Sequence, residues 1–235
     1  MANPQARAAL KGTGLKPVRI KQTVHYMRRF GFSPDIVVDV GVYDGTGWLY
    51  RAFEGAQFLL IDPLSESAEL VAPIAPPGHE FLAVALGSED GEMDLTVTHK
   101  ANGGGGNLSG FHRRVDGSRN WSSWTEQRRV PVRRLDEIMA DRPGSVGLKI
   151  DTEGHEAEVL DGAGETLRRC VFVVAEVSVS RRFAETPLPS ALIARLAEAG
   201  LELRDVLAMA PPDHDMPRHM DMLFTRWPQQ EGIAA

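Results

Sequence analysis

The sequence predicts an α/β protein with a doubly wound, mostly parallel sheet, a helix ahead of the first strand and a glycine-rich insertion in its middle. Three observations carry that reading. The short, continuous apolar runs at 36–40, 58–61, 146–150 and 171–177 have the pattern of strands buried on both faces. Helical periodicities separate most of them, so parallel strands joined by right-handed crossovers are the simplest arrangement. The first run leads straight into glycines at 41, 45 and 47, and in open α/β sheets ligands bind beyond the carboxyl ends of the strands, where that turn lies.

A chain of 235 residues, 43% hydrophobic and 25% charged, is long enough for one large α/β domain. We expect a mobile arm over 1–17, where Pro4, Gly12 and Gly14 interrupt any period, a single domain over 18–227 and a flexible tail over 228–235. A net charge of −6 argues against a nucleic-acid protein working by phosphate neutralisation and favours a small-molecule partner. The basic amino terminus lacks the apolar core of a signal peptide, and no apolar run reaches the length needed to span a bilayer. Cys170 stands alone beside an apolar run, so an internal disulfide is excluded and a buried thiol expected. A soluble protein of the reducing cytoplasm fits these features; the oligomeric state is left open.

Taken in order, Ile20, Val24, Met27 and Phe30 recur at helical spacing and predict a helix over 18–30, stopped by Gly31. The strand 36–40 follows Pro34, and Trp48, Leu49 and Phe53 mark a helix ended by Gly55. The strand 58–61 stops at Asp62-Pro63, a helix over 65–74 comes next, and 81–86 reads as a third strand. Residues 93–98 alternate like a half-exposed strand, whereas 100–119, around Gly103–Gly106, are too polar and glycine-rich for a helix or packed strand and read as a surface loop. Trp121 and Trp124 either anchor that loop or cap a pocket. An edge strand at 130–133 and a helical turn at 135–139 lead to the strand 146–150 and a helix closing at Gly162. The strand 171–177, a helix over 189–199, and strands at 201–207 and 220–224 complete the pattern, with a proline-rich loop before the last.

Asp39, Gly41 and Gly45 form D-x-G-x-x-x-G directly after the first strand, where absent side chains let a ligand approach the backbone and the amides of the next helix. A dinucleotide fingerprint would need glycine at 43, and Tyr43 there would block a pyrophosphate. The pattern resembles motif I of class I S-adenosylmethionine-dependent methyltransferases, which implies S-adenosylmethionine as cofactor and places Asp39 near its cationic end. Asp62, closing the second strand, is placed to accept from ribose hydroxyls, as acids do there in dinucleotide folds. The expected cofactor-binding set is therefore Asp39, Gly41, Tyr43, Gly45 and Asp62.

VVDVGVYDG, LLIDP, FLAVALGSEDGEMDL, RVPVRRLDEI, LKIDTEGHEAEVLDGA and VFVVAEVS, in that order, are similar to the FkbM family of methyltransferases. The resemblance covers about residues 35–177 and implies a Rossmann-like, seven-stranded class I fold. It also implies O-methylation of a hydroxyl on a sugar, polyketide or related secondary metabolite. The sequence departs from the usual Ala-Asn with Val42-Tyr43. Methyl transfer needs alignment and a proton acceptor, and the titratable cluster after strand 146–150 supplies the catalytic candidates Asp151, Glu153 and His155. Asp151 is read as base or substrate orienter, with helix capping as its alternative, Glu153 ranks beside it, and His155 has the intrinsic pKa for proton transfer but sits where surface histidines are common. Lys149 is expected to pair with Glu176. Alternatively, Glu176 reaches the acceptor site and, with Asp151, Glu153 and His214 or His219, offers ligands for a divalent metal, although no compact ligand motif points to one. Glu156 and Glu158 are expected to stabilise the helix N-terminal dipole or face solvent. N- or carboxyl-methylation and a non-catalytic cofactor-binding module are the competing readings.

Overall fold

The computed structural model describes residues 8–13, 20–99, 109–115, 124–210 and 217–227. The tail 228–235, most of the arm 1–17, the glycine run 103–106, Trp121 and His214 lie outside the described residues. β1 (Ile36–Val40) shows why the sheet forms. All five of its residues are buried, with Ile36, Val38 and Val40 packing into one apolar layer and Val37 into the other. Period-two alternation with both faces covered makes a run that is apolar at all positions but Asp39 the fitting sequence.

The seven strands of this sheet run in the order β3-β2-β1-β7-β8-β10-β9, comprising β2 (Gln57–Ile61), β3 (Glu80–Leu82), β7 (Val146–Ile150), β8 (Cys170–Ser178), β9 (Leu201–Ala210) and β10 (His219–Arg226). The first five in that order are parallel, and β10 runs antiparallel between β8 and β9. This is the mostly parallel seven-stranded α/β fold expected from the sequence. One face is covered by α1 (Val24–Arg28), α2 (Gly47–Ala52) and α3 (Ser67–Val71) through Met27, Leu49, Tyr50 and Val71. The other is covered by α4 (Leu135–Ile138), α5 (Glu156–Asp161), α6 (Gly164–Arg169) and α7 (Pro189–Glu198) through Leu135, Val159, Leu167 and Leu192. Cys170 is buried as expected, its thiol pushed up to about 12 by burial. Among the described residues no helix is long and apolar enough to cross a membrane.

Several elements differ from the sequence reading. The expected strand 81–86 is two strands: β3 in the main sheet and β4 (Ala85–Leu86) in a second, three-stranded sheet ordered β4-β6-β5. The cause is Pro63. β2 ends at Ile61 and Asp62 donates to Leu82, after which β2 offers no further ladder and the chain crosses to pair with β6 (Trp124–Arg133). Residues 130–133, expected at an edge, therefore belong to the middle strand of this second sheet, whose other member is β5 (Gly91–His99). Leu95, Val97, Val130 and Val132 give it its own small core. The helix expected over 18–30 is confined to α1, capped by Thr23 accepting from the Tyr26 amide, and Ile20 lies outside it with 80% of its surface exposed.

Gly147, in the middle of β7, has a packing reason. Phe172 on β8 is its register partner, and a methyl at 147 would overlap the Phe172 ring, which is fully buried and stacks on Phe53. Gly147→Ala is expected to lower stability by about 1–3 kcal/mol through overpacking, read as a lower midpoint in urea unfolding; a wild-type midpoint contradicts this packing.

Candidate functional site

A cavity of about 710 Å³ opens beyond the carboxyl ends of β1, β2 and β7. It has two chemically different ends. At one, the turn after β1 brings Gly41, Tyr43 and Gly45, all with positive φ, against Asp62. Asp62 accepts from the Tyr43 and Leu64 amides, 2.9 Å each, and burial lifts its carboxyl above the ordinary range against the pull of those amides. Each carboxylate oxygen has a second lone pair, so capacity for a hydroxyl donor remains. Trp48, Pro63, Leu64 and Leu86 add apolar wall nearby.

The glycines of this turn answer to the protein itself. A methyl on Gly41 would overlap the carbonyl of Asp151, and one on Gly45 would come 2.6 Å from Val71. Left-handed backbone and close approach thus coincide, which only glycine tolerates at low cost. Tyr43 holds φ 45° without that freedom. Asp39, expected near the cofactor, lies beneath the turn instead of in the cavity: it is fully buried, accepts from the Tyr50 hydroxyl at 2.6 Å and faces Lys149 Nζ at 3.3 Å. Strand alternation turns it toward the α2 side, where Tyr50 waits.

Lys149 does not pair with Glu176 as the sequence suggested. It is the register partner of Asp39 across β1 and β7, whereas its partner on β8 is Val174, two residues short of Glu176. Its ammonium also reaches Asp151 at 3.4 Å and donates to the Gly41 carbonyl at 3.3 Å. Burial pulls its pKa down, but Asp39, Asp151 and Asp221 together carry it above the ordinary lysine value. Glu176 pairs instead with Arg182 and, at 3.1 Å, with His219, and burial raises its carboxyl well above the usual range.

The second end of the cavity is the loop after β7. Asp151 is half-buried and reaches the cavity, its amide donating to the Val40 carbonyl at 3.0 Å. Glu153, at φ 53°, is gripped by Arg114 and by Arg182 at 2.6 Å; burial pushes its carboxyl up while the two guanidiniums oppose the shift. Both guanidiniums lie over the Phe183 ring, at 4.8 and 5.1 Å, a cation–π arrangement that fixes the clamp. Glu156 closes the loop by accepting from the amides of Thr152 and Gly154, a structural role as expected. His155, expected to be a surface residue, is only 2% exposed, since Phe111 and His112 fold over it; burial and the facing His112 lower its pKa to about 4. Glu158, expected to stabilise the helix dipole or face solvent, turns toward the same two histidines.

The cavity thus brings together Tyr43, Gly45, Asp62, Asp151, Glu153 and His155. Arg114, Arg182 and His112 were missed from sequence: Glu153 stands 39 and 29 positions from the two arginines and His155 stands 43 from His112, and only the Arg182–Glu176 pair is closer, at six.

The family model described as Methyltransferase FkbM domain matches residues 39–203. The chain belongs to the FkbM methyltransferase family. No curated protein sequence matches it. Among solved structures it is similar to the FkbM methyltransferase of Methylobacillus flagellatus, with a TM-score of 0.54 and 17% identity over 88% of this chain and 48% of the other. The FkbM chain described here thus spans about half the length of that relative. It is also similar to magnesium protoporphyrin IX methyltransferase from Synechocystis with bound S-adenosylmethionine (TM-score 0.48, 10% identity, 96% of this chain and 92% of that). A third is Aeropyrum pernix fibrillarin, in complex with S-adenosylmethionine (0.46, 12%, 94% and 74%). These likenesses are of fold.

As a member of this family, the chain is expected to take S-adenosylmethionine as its cofactor. Its residues fit that cofactor: the volume lies within the usual range of about 300–1,000 Å³ for small-molecule sites, and an acid with free acceptor capacity and apolar walls line the end beside the glycine turn.

Two outcomes test the electrostatics. Lys149→Met strands the buried Asp39 carboxylate, and a loss of about 3–5 kcal/mol in denaturant unfolding is expected; an unchanged midpoint denies the ion pair. Burial raises Asp221 to about 6, above its unfolded value of 3.8, so its charge costs stability above pH 6 and nothing below about pH 4. Asp221→Asn should therefore stabilise the fold by roughly 1–3 kcal/mol more at pH 8 than at pH 4, and equal effects at both pH values contradict the burial.

Proposed function

We propose that the protein is an O-methyltransferase acting on a hydroxyl of a small molecule such as a sugar, a polyketide or another secondary metabolite, with residues 18–227 as its catalytic domain. The observation that carries this reading is the single cavity in which Asp62 and the glycine turn meet Asp151. S-adenosylmethionine, when bound, supplies an activated methyl group whose leaving group is a neutral sulfide. Gly41, Tyr43, Gly45 and Asp62 would hold it, with Asp62 available to accept from its hydroxyls, and Asp39 supports their turn from below through Tyr50 and Lys149.

The protein must then align an acceptor oxygen and remove its proton. Alignment supplies up to about 7–11 kcal/mol in favourable cases and a general base about 10²–10⁴-fold in rate. Asp151 is the base: its carboxylate lines the cavity and stands 3.4 Å from Lys149 Nζ. Glu153, held between two arginines, positions the loop that carries Asp151. His155 keeps Nδ1 turned to His112 and shapes the acceptor wall with Phe111.

Calorimetric titration with S-adenosylmethionine and S-adenosylhomocysteine, followed by incubation of cell extracts with isotope-labelled methyl donor, tests the proposal; labelled product bearing an O-methyl group is expected. Asp62→Ala should weaken cofactor binding by about 10–100-fold. Asp151→Asn should lower kcat by about 10²–10⁴-fold and leave cofactor affinity near wild type. The reverse pattern overturns the assignment, and undiminished turnover in Asp151→Asn points to an amine acceptor, which needs less help from a base.

A further inference from the structure

His112, His155 and Glu158 come together beside the cavity, which His155 alone of the three lines, from segments that the fold brings together. His112 lies between β5 and β6, His155 precedes α5 and Glu158 lies within it. We propose that these three side chains form a binding site for a divalent transition-metal ion with zinc's ligand preferences. The site is separate from the methyl-transfer reading and stands or falls without it.

The geometry is that of a ligand set. His112 Nε2 and His155 Nδ1 are 3.2 Å apart, and the Glu158 carboxylate places one oxygen 3.7 Å from the first and the other 3.6 Å from the second. Ligand atoms sharing one tetrahedral ion at the usual bond lengths of about 2.0–2.1 Å lie about 3.3 Å from one another; one ligand atom from each of these residues lies within 4.8 Å of the others, so an inward movement of the Glu158 carboxylate completes the site. Two imidazoles and a carboxylate suit zinc, cobalt, nickel or copper, whereas magnesium and calcium prefer sites made of oxygen alone.

Two further observations point the same way. The other nitrogen of His112, Nδ1, faces the Glu185 carboxylate at 3.3 Å. That is the carboxylate–histidine arrangement that orients a metal-binding imidazole: with the proton on Nδ1, Nε2 presents its lone pair to His155 and Glu158. In addition, Glu158 Oε2 is buried and accepts no hydrogen bond from the described residues, a costly state for a carboxylate oxygen that a cation relieves. Three protein ligands leave a fourth position for water or a ligand group, on the wall where His155 and Phe111 meet the cavity. A bound ion would cross-link segment 109–115 to the start of α5 and hold that wall in place.

The test uses the full chain after dialysis against a chelator, titrated with zinc chloride by calorimetry and with cobalt chloride by visible absorption. One equivalent of zinc, an intense tetrahedral cobalt spectrum and a higher melting temperature with zinc are expected. Glu158→Gln is nearly isosteric, and a circular dichroism spectrum like wild type shows that it folds. It and His112→Ala should each weaken zinc binding by at least about 100-fold, and Glu185→Gln by about 10–100-fold. Failure of the wild-type chain to bind zinc, or wild-type binding in both His112→Ala and Glu158→Gln, overturns the site.

Discussion

The buried ammonium of Lys149 is the interaction on which the cavity depends. It sits where β1 and β7 end and ties three groups at once: the Asp39 carboxylate, the Asp151 carboxylate and the Gly41 carbonyl. A charge without a partner at such a depth is costly, and its pairing is what permits two acids and a cation to share the floor of a ligand site. The same contact explains the close approach of the turn after β1 to the loop after β7, so tight that residue 41 has no room for a side chain. The turn after β1 and the loop after β7 are thereby held as one unit.

Around that floor the acceptor end is built by long-range charge pairing. Arg182, only 3% exposed, bridges Glu153 and Glu176, and Arg114 brings the segment after β5 onto Glu153. Phe183 lies under both guanidiniums, and Gly154 leaves space for its ring, since a methyl there would come 2.6 Å from it. The loop bearing Asp151 and Glu153 is consequently fixed on both sides, and Glu153 tolerates a left-handed backbone because its side chain is over-determined by two arginines. Electrostatic preorganisation of this kind places charged groups before a substrate arrives.

The second sheet adds a layer the doubly wound frame does not require. It carries the chain from β3 across to β6, and its β5 returns through Gly110, which pairs with Thr96, to deliver Phe111 and His112 over His155. The segment 109–115 is thereby brought to the site.

Much of the frame was legible in the chain because strand burial on both faces leaves a local mark. Ile36–Val40 and Val146–Ile150 appear in the structure with the ends read from sequence, and D-x-G-x-x-x-G marked the turn from composition and spacing alone. Pairing was not legible. Which carboxylate meets Lys149 depends on register between strands more than a hundred positions apart, and Asp39, not Glu176, shares its level. Whether His155 is exposed depends on a loop that returns from 43 residues earlier, and whether 81–86 forms one strand or two depends on where β2 runs out of partners. Local pattern and turn chemistry, encoded residue by residue, determined the fold class and the glycine turn after β1. The ion pairs, the buried histidine and the candidate metal ligands were decided by tertiary structure, because they are contacts between segments whose sequences carry no record of one another.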